Sequence, residues 1–233
     1  MKTIGLIGGM SWESSIEYYR IINQEARRLL GGTHSAKSLM VSVDFAEIEA
    51  LQRAGDWDEA TRMMIDAARS LERGGANFIV ICTNTMHRMA EEVQAAVSLP
   101  LLHIADATAA AVKAAGVTVV GLLGTRFTME QNFYRGRLEQ MHTLTVLTPP
   151  EAERAIVHDV IYDELVIGRI DPSSRQQFVR IMADLVARGA QGIILGCTEI
   201  GLLVGAADCS VPLFDTTRLH AEAAVTMALG DKK

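Results

Sequence analysis

Two short runs in this sequence set nucleophilic and hydrogen-bonding side chains directly after an apolar stretch. One is Phe78-Ile-Val-Ile81 followed by Cys82-Thr83-Asn84-Thr85-Met86-His87; the other is Ile193-Ile-Leu195 followed by Gly196-Cys197-Thr198-Glu199. Each starts at a Gly-Ala pair, Gly75-Ala76 and Gly189-Ala190, and the pairs lie 114 positions apart. In that register Thr83 falls opposite Cys197, Asn84 opposite Thr198, and Cys82 opposite Gly196. A cysteine at a strand end, just ahead of a helix, can have its thiolate stabilised by the helix dipole and free N–H groups. Cys197 fits that description. The same N–H groups, with the side chains of Asn84, Thr85 and Thr198, suit a carboxylate. A substrate held by its carboxylate offers its α-carbon to a side chain on each face. One removes a proton and the other returns it, which is racemisation or epimerisation without a cofactor. Such chemistry needs bases that are close, dry and oriented.

Simpler uses of these residues stand beside that one. A buried free cysteine more often packs than catalyses, so Cys82 and Cys209 read as structural. Thr83 and Thr198 also fit ordinary helix caps. His87, four residues after Thr83, fits a packed or capping residue as well as an acid. The glycines of Gly5-Leu-Ile-Gly8-Gly9 lack dinucleotide-binding spacing, and no phosphate-binding loop of the Walker type occurs. Cys82, His87 and Cys197 do not match zinc spacing. The Met63-Met64 pair and Ala105–Ala115 read as helix core. No cofactor and no metal are expected.

The elements that must position these residues alternate along the chain. Thr3 to Gly9 reads as a buried strand closed by glycines. Ser11 is placed to cap a helix running to about Leu30. Ser38–Val43 is a second strand. Asp44 to Asp58 is polar and loop-like at its ends, and carries Glu47, Glu49, Gln52 and Arg53. Glu59–Arg73 has helical periodicity, Phe78–Ile81 is the third strand, a helix follows from about Met86 to Ala96, and Leu99–Ile104 is the fourth strand. The pattern then restarts. Val119 to Thr125 echoes Ile4 to Gly9, and Ser210-Val-Pro-Leu-Phe214 echoes Ser98-Leu-Pro-Leu-Leu102. With the Gly-Ala strands this makes three matched pairs at offsets of 112 to 116. Three matches in one order argue for internal duplication. The expected fold is α/β: two pseudo-symmetric three-layer αβα lobes with mainly parallel four-stranded sheets. Residues 1–98 with 210–233 would form one lobe and 99–209 the other. The last helix, Thr217–Leu229, returns to pack on the first lobe. Ligands of open parallel sheets bind beyond the carboxyl ends of the strands, which places the site in the inter-lobe cleft. Those ends carry Met10, Thr83–Thr85, Thr125 and Cys197–Glu199.

The 233 residues, 49% of them apolar, suffice for a sizeable core. A net charge of −6 presents no basic face, so nucleic acid is not an expected partner. No apolar run of about 18 residues spans a membrane. Trp12 and Glu13 interrupt the N-terminal apolar run too early for a signal peptide, and three widely spaced cysteines read as reduced thiols, so a cytoplasmic protein is expected.

On Ile4-Gly-Leu-Ile-Gly-Gly-Met10, Glu72-Arg-Gly-Gly-Ala-Asn-Phe-Ile79, Asn84-Thr-x-His87, Gly196-Cys-Thr-Glu199 and Val211-Pro-Leu-Phe-Asp215, the chain resembles the aspartate/glutamate racemase superfamily, in its aspartate racemase branch. The resemblance spans essentially the whole chain. It implies cofactor-independent amino-acid racemisation by two cysteines, usually in a homodimer. It also implies carboxylate binding at Asn84, Thr85 and Thr198 with help from Thr125 to Thr128, so the expected substrate-binding set is Met10, Gln52, Asn84, Thr85, Thr125, Thr128, Thr198 and Glu199. One family feature is missing. The family reads Cys-Asn-Thr-x-His where this chain has Thr83-Asn84-Thr85-Met86-His87. A one-residue step along a strand reverses the side chain's face, so Cys82 does not replace the missing cysteine. A hydroxyl is a far weaker acid than a thiol, and the expected enzyme is slow or directionally unequal, with Cys197 as main base. The family's basic side-chain readers are also absent from Ile161–Gly168, leaving Arg53 and Arg126 as the nearest cations and a broader amino-acid range in play. The competing expectations are a one-cysteine decarboxylase or cis–trans isomerase of small dicarboxylates, and an amino-acid-binding protein without turnover.

Overall fold

The computed structural model of the chain describes residues 1–230. Its elements are β1 (Ile4–Gly8), α1 (Trp12–Leu30), β2 (Ser38–Ser42), α2 (Phe45–Ala54), α3 (Trp57–Arg73), β3 (Phe78–Ile81), α4 (Ala90–Ala96) and β4 (Leu101–Leu102). After α5 (Ile104–Ala114) come β5 (Val119–Gly124), α6 (Arg126–Glu130), α7 (Arg135–His142), β6 (Thr145–Leu147), α8 (Glu151–Asp163), α9 (Pro172–Ala187), β7 (Gly192–Gly196), α10 (Ile200–Leu203), β8 (Leu213–Asp215) and α11 (Thr216–Leu229). Two four-stranded sheets form, β2-β1-β3-β4 and β6-β5-β7-β8, and every pairing in both is parallel. The expected α/β class with a repeated sheet is therefore present.

Contacts divide the chain into one unit of residues 1–104 with the segment from His220 onward, and a second of residues 105–219. The sequence pattern places these boundaries at 98/99 and 209/210. The observed boundaries fall after a strand rather than before it, because β4 pairs with β3 and β8 with β7.

In the first unit the strands bury both faces, and alternation decides which residue goes where. Ile7, Ile79 and Ile81 pack with Met64, Ala68 and Leu71 of α3, Ile48 of α2 and Val93 of α4. Ile4, Leu6, Phe78, Val80 and Cys82 pack on the other side with Tyr18, Ile22 and Ala26 of α1 and with Ala221, Ala224 and Val225 of α11. The last helix does return to the first unit. In the second unit Leu122, Leu123, Ile193, Ile194 and Leu195 are buried with Phe178, Met182 and Leu185 of α9.

Local chemistry accounts for the helix ends. The Ser11 hydroxyl accepts from the Ser14 N–H at 3.3 Å and starts α1. The run from Asp44 to Asp58, loop-like at its ends, holds a ten-residue helix between them. Asp44 caps it through the Ala46 N–H at 3.0 Å, Gly55 closes it in a left-handed conformation, and Ile48 and Gln52 form its buried stripe. The expected strand over Leu99–Ile104 shrinks to two residues because Ile104 already begins α5. The helix expected from Met86 starts as a 3-10 turn, Thr85–Met89, before α4.

Gly9 shows how tightly the β1 end is built. It has φ +91°, and a methyl group there would lie 2.1 Å from the Val43 carbonyl oxygen. Gly55 also has positive φ but faces open space. Gly9→Ala is expected to cost at least about 3 kcal/mol, and Gly55→Ala only about 1 kcal/mol. Urea unfolding of both variants checks this; equal losses would mean that crowding at Gly9 adds nothing beyond backbone strain.

Candidate active site

The candidate residues of the first unit sit at the carboxyl ends of β1 and β3. Thr83 is half-buried, and its hydroxyl has no partner among the described residues. Asn84 and Thr85 are buried beside it. Cys82 goes the other way, into the apolar cluster between the sheet and α1/α11. Complete burial raises its thiol pKa, so it is an inert packing thiol. Gln52 lies buried on α2, with Nε2 3.3 Å from the Met86 sulfur. Met10, expected at the substrate, has its side chain in the apolar cluster of α2, α3 and α4. Around it, Ser15 Oγ accepts from the Gly9 N–H at 2.8 Å and donates to the Ser11 carbonyl at 2.9 Å.

The candidate residues of the second unit sit on two paired strands, β5 and β7, whose ends meet at Gly124 opposite Gly196. Both are glycine because the backbones crowd: a methyl group on Gly196 would sit 2.8 Å from the Leu123 carbonyl oxygen. Thr125 caps α6, its hydroxyl accepting from the Thr128 N–H at 3.3 Å and lying 3.2 Å from the Thr128 hydroxyl. One residue past Gly196, the Cys197 thiol donates to Glu199 Oε2 at 3.0 Å, and the Thr198 hydroxyl donates to the same oxygen at 2.7 Å. Thr217 Oγ1 donates to the Thr198 carbonyl at 3.4 Å.

This corrects the expectation of a stabilised thiolate at Cys197. The helix that follows, α10, has four residues and supplies little dipole. Burial raises the Cys197 pKa well above the usual thiol value, and the Glu199 charge and hydrogen bond raise it further. At neutral pH the resting group is therefore a thiol, hydrogen-bonded to the Glu199 carboxylate. Glu199, expected to bind substrate, is committed to Cys197 and Thr198 at this oxygen.

The two arginines singled out for the substrate side chain differ. Arg53 is bound to Glu49 on its own helix at 2.6 and 3.0 Å. Arg126 opens α6 directly after Thr125, and its guanidinium has no acidic partner among the described residues. Its N–H donates to His158 Nδ1 at 3.3 Å, so the His158 proton sits on Nε2. Burial and then the Arg126 charge hold the His158 pKa down. Elsewhere in the second unit a cavity of about 400 Å³ is lined by Ile170, Leu202, Val204, Arg175 and Asp208. The cation in its lining is taken up by Asp208 at 2.8 Å, which leaves no free charge to hold an anion.

The profile of the Asp/Glu/Hydantoin racemases matches residues 7–224. The chain belongs to that family. It is thereby an isomerase of the cofactor-independent amino-acid racemase group. Among curated relatives it is 25% identical over 231 residues to the broad specificity amino-acid racemase RacX of Bacillus subtilis (strain 168), covering 97% of this chain and 98% of that one. A solved protein from Yersinia pestis, described as a candidate Asp/Glu racemase, is 56% identical with a TM-score of 0.92, covering 99% of this chain and 100% of its own. An aspartate racemase homologue from Pyrococcus horikoshii OT3 is 33% identical with a TM-score of 0.85 over 99% of this chain and 100% of its own. These matches carry the two-sheet α/β architecture along the whole chain. Among the described residues no helix is long and apolar enough to cross a membrane.

The Cys197–Glu199 contact sets a pH signature. The thiol pKa is raised, so alkylation of Cys197 by iodoacetamide is expected to keep rising with pH through 9, without an earlier plateau. Glu199→Gln removes the charge that helps raise the pKa, and the midpoint should move down. Mass-spectrometric alkylation rates across pH check it; an unchanged profile in Glu199→Gln would show that burial alone sets the thiol.

Proposed function

We propose that the protein is a cofactor-independent amino-acid racemase in which Cys197 and Thr83 act on opposite faces of one substrate Cα. The observation that carries the reading is the 3.0 Å contact from the Cys197 thiol to Glu199, which gives this strand end a thiol with a ready proton acceptor. Family membership and the matched positions of Thr83 and Cys197 at the ends of β3 and β7 support it. Asn84, Thr85 and Thr198 hold the substrate carboxylate, with Thr125 and Thr128 shaping the second unit's side.

In the forward step Glu199 takes the Cys197 proton, and the thiolate then takes the Cα proton. The carbanion has two fates. The Cys197 side can return a proton, which gives exchange with retention. The Thr83 hydroxyl can donate to the other face, which gives inversion; the resulting alkoxide takes a proton from water, and Glu199 releases the proton it took from Cys197 to the solvent, which restores the resting state. Thiol and hydroxyl differ widely in acidity, so the fates are unequal. The enantiomers are isoenergetic in water, so kcat/KM for net inversion is equal in both directions. The inequality appears in retained exchange, and in kcat and KM taken separately.

Arg126 is the side-chain reader in this account, and it favours an acidic substrate; the name of the Bacillus subtilis relative supports a wider range. Three free cysteines fit a reducing cytoplasm, and the family resemblance supports a homodimer, which light scattering reads directly.

Proton NMR in D2O with each L-amino acid tests the reading. Loss of a Cα signal without carbon dioxide release, abolished in Cys197→Ala, is the expected result. Arg126→Ala should remove any preference for acidic side chains. No Cα exchange with any amino acid would sink the racemase reading in favour of the dicarboxylate enzymes, and ligand-induced thermal stabilisation without turnover would favour a binding protein.

A further inference from the structure

We propose that His87 is a positioning residue for Thr83, its neutral imidazole fixing the strand-end turn that carries the Thr83 hydroxyl. This rests on the reading of Thr83 as the second proton-transfer group.

The ring is buried, and both nitrogens are committed to main-chain partners. Nδ1 lies 2.8 Å from the Thr83 carbonyl oxygen, and the Ile104 N–H donates to Nε2 at 3.2 Å. A carbonyl only accepts and an amide N–H only donates. The proton is therefore on Nδ1, and the Nε2 lone pair is used. Protonating the ring would set N–H against N–H in a buried place. That settles the choice between a packed residue and an acid: His87 cannot carry a proton to substrate without releasing the turn it holds. Its own N–H closes that turn, donating to the Asn84 carbonyl at 3.1 Å.

The anchor at the other end is firm. Leu102, two residues before Ile104, has its carbonyl bound by His220 Nε2 at 2.9 Å, and His220 Nδ1 accepts from the Tyr18 hydroxyl at 2.8 Å. His220 and Tyr18 are fully buried. A brace thus runs from α1 through α11 to the end of β4, and His87 carries it to Thr83. His103 packs tilted on the His87 ring at 4.6 Å, and His220 meets its edge at 5.7 Å. Among the described residues no group of three or more His, Cys, Asp or Glu is placed to hold a metal ion. Packing and hydrogen bonding therefore account for the histidines. Side chains that must deliver a proton tolerate little misplacement, and about 1 Å can cost 10²-fold.

The test is the ratio of inversion to retention for one amino acid in D2O, read by chiral chromatography with NMR. Retained exchange depends on Cys197; inversion also needs Thr83. His87→Ala is expected to lower the ratio about 10- to 100-fold, while retained exchange changes less than about 3-fold. His87→Asn keeps a donor near Nδ1 and should recover most of the ratio, and it also serves if the alanine variant does not fold. His220→Gln loosens the far end of the brace but leaves both His87 hydrogen bonds in place, so it should lower the melting temperature and reduce the ratio far less than His87→Ala does. An unchanged ratio in folded His87→Ala would overturn the proposal, as would an equal fall in His220→Gln, which marks a structural role only. Wild-type protein that exchanges no amino acid fails at the earlier reading and takes this one with it.

Discussion

The alternation of side chains along two buried parallel strands is the constraint on which the site depends. On β3, Phe78 and Val80 face α1 and α11 while Ile79 and Ile81 face α2, α3 and α4. Cys82 continues the first series into the core. A slip of one residue would turn every one of these side chains to the wrong layer. Burying four large apolar groups contributes on the order of 6 to 12 kcal/mol, so that register does not drift. The residue after Cys82 is therefore the one that leaves the core at the strand end, and here it is threonine. On β7 the same position follows Gly196 and is cysteine.

Electrostatics then sets how the second of these positions behaves. A thiol buried against a carboxylate stays protonated, and the carboxylate that suppresses its ionisation is also the group able to accept its proton. In the proposed reaction Glu199 therefore has two effects on Cys197, one that holds the proton at rest and one that takes it during turnover. Thr83 has no such partner and no comparable acidity. What holds it is geometric: a turn closed by His87 and anchored at the end of β4. In the proposed reaction one side is organised by charge and the other by position.

Much of this was legible in the residues. Both strand ends, the 114-residue register, the inward turn of Cys82 and the return of α11 followed from periodicity and glycine placement. The misses have physical causes. Helix α2 hid because its capping Asp44 and closing Gly55 also read as loop punctuation. Strand β4 is short because the run that ends it also starts α5. The unit boundaries each lie beyond a strand, because β4 joins β3 and β8 joins β7. The raised pKa of Cys197 is not legible in the sequence, which shows a cysteine ahead of a helix but not that the helix has one turn. Nor does it show that Glu199 folds back on the thiol. The role of His87 depends on Ile104, seventeen residues away, and nothing in local spacing reports that contact.

The central claim is that Thr83, not Cys82, occupies the second proton-transfer position and limits inversion. The most direct measurement is the ratio of inverted to retained product in D2O for wild type, Thr83→Cys and Cys82→Ala. A cysteine at position 83 should raise inversion at least about tenfold, because a thiol is a far stronger acid than a hydroxyl. Cys82→Ala should leave the ratio where it was. A ratio untouched by Thr83→Cys, or inversion lost in Cys82→Ala, would contradict the account.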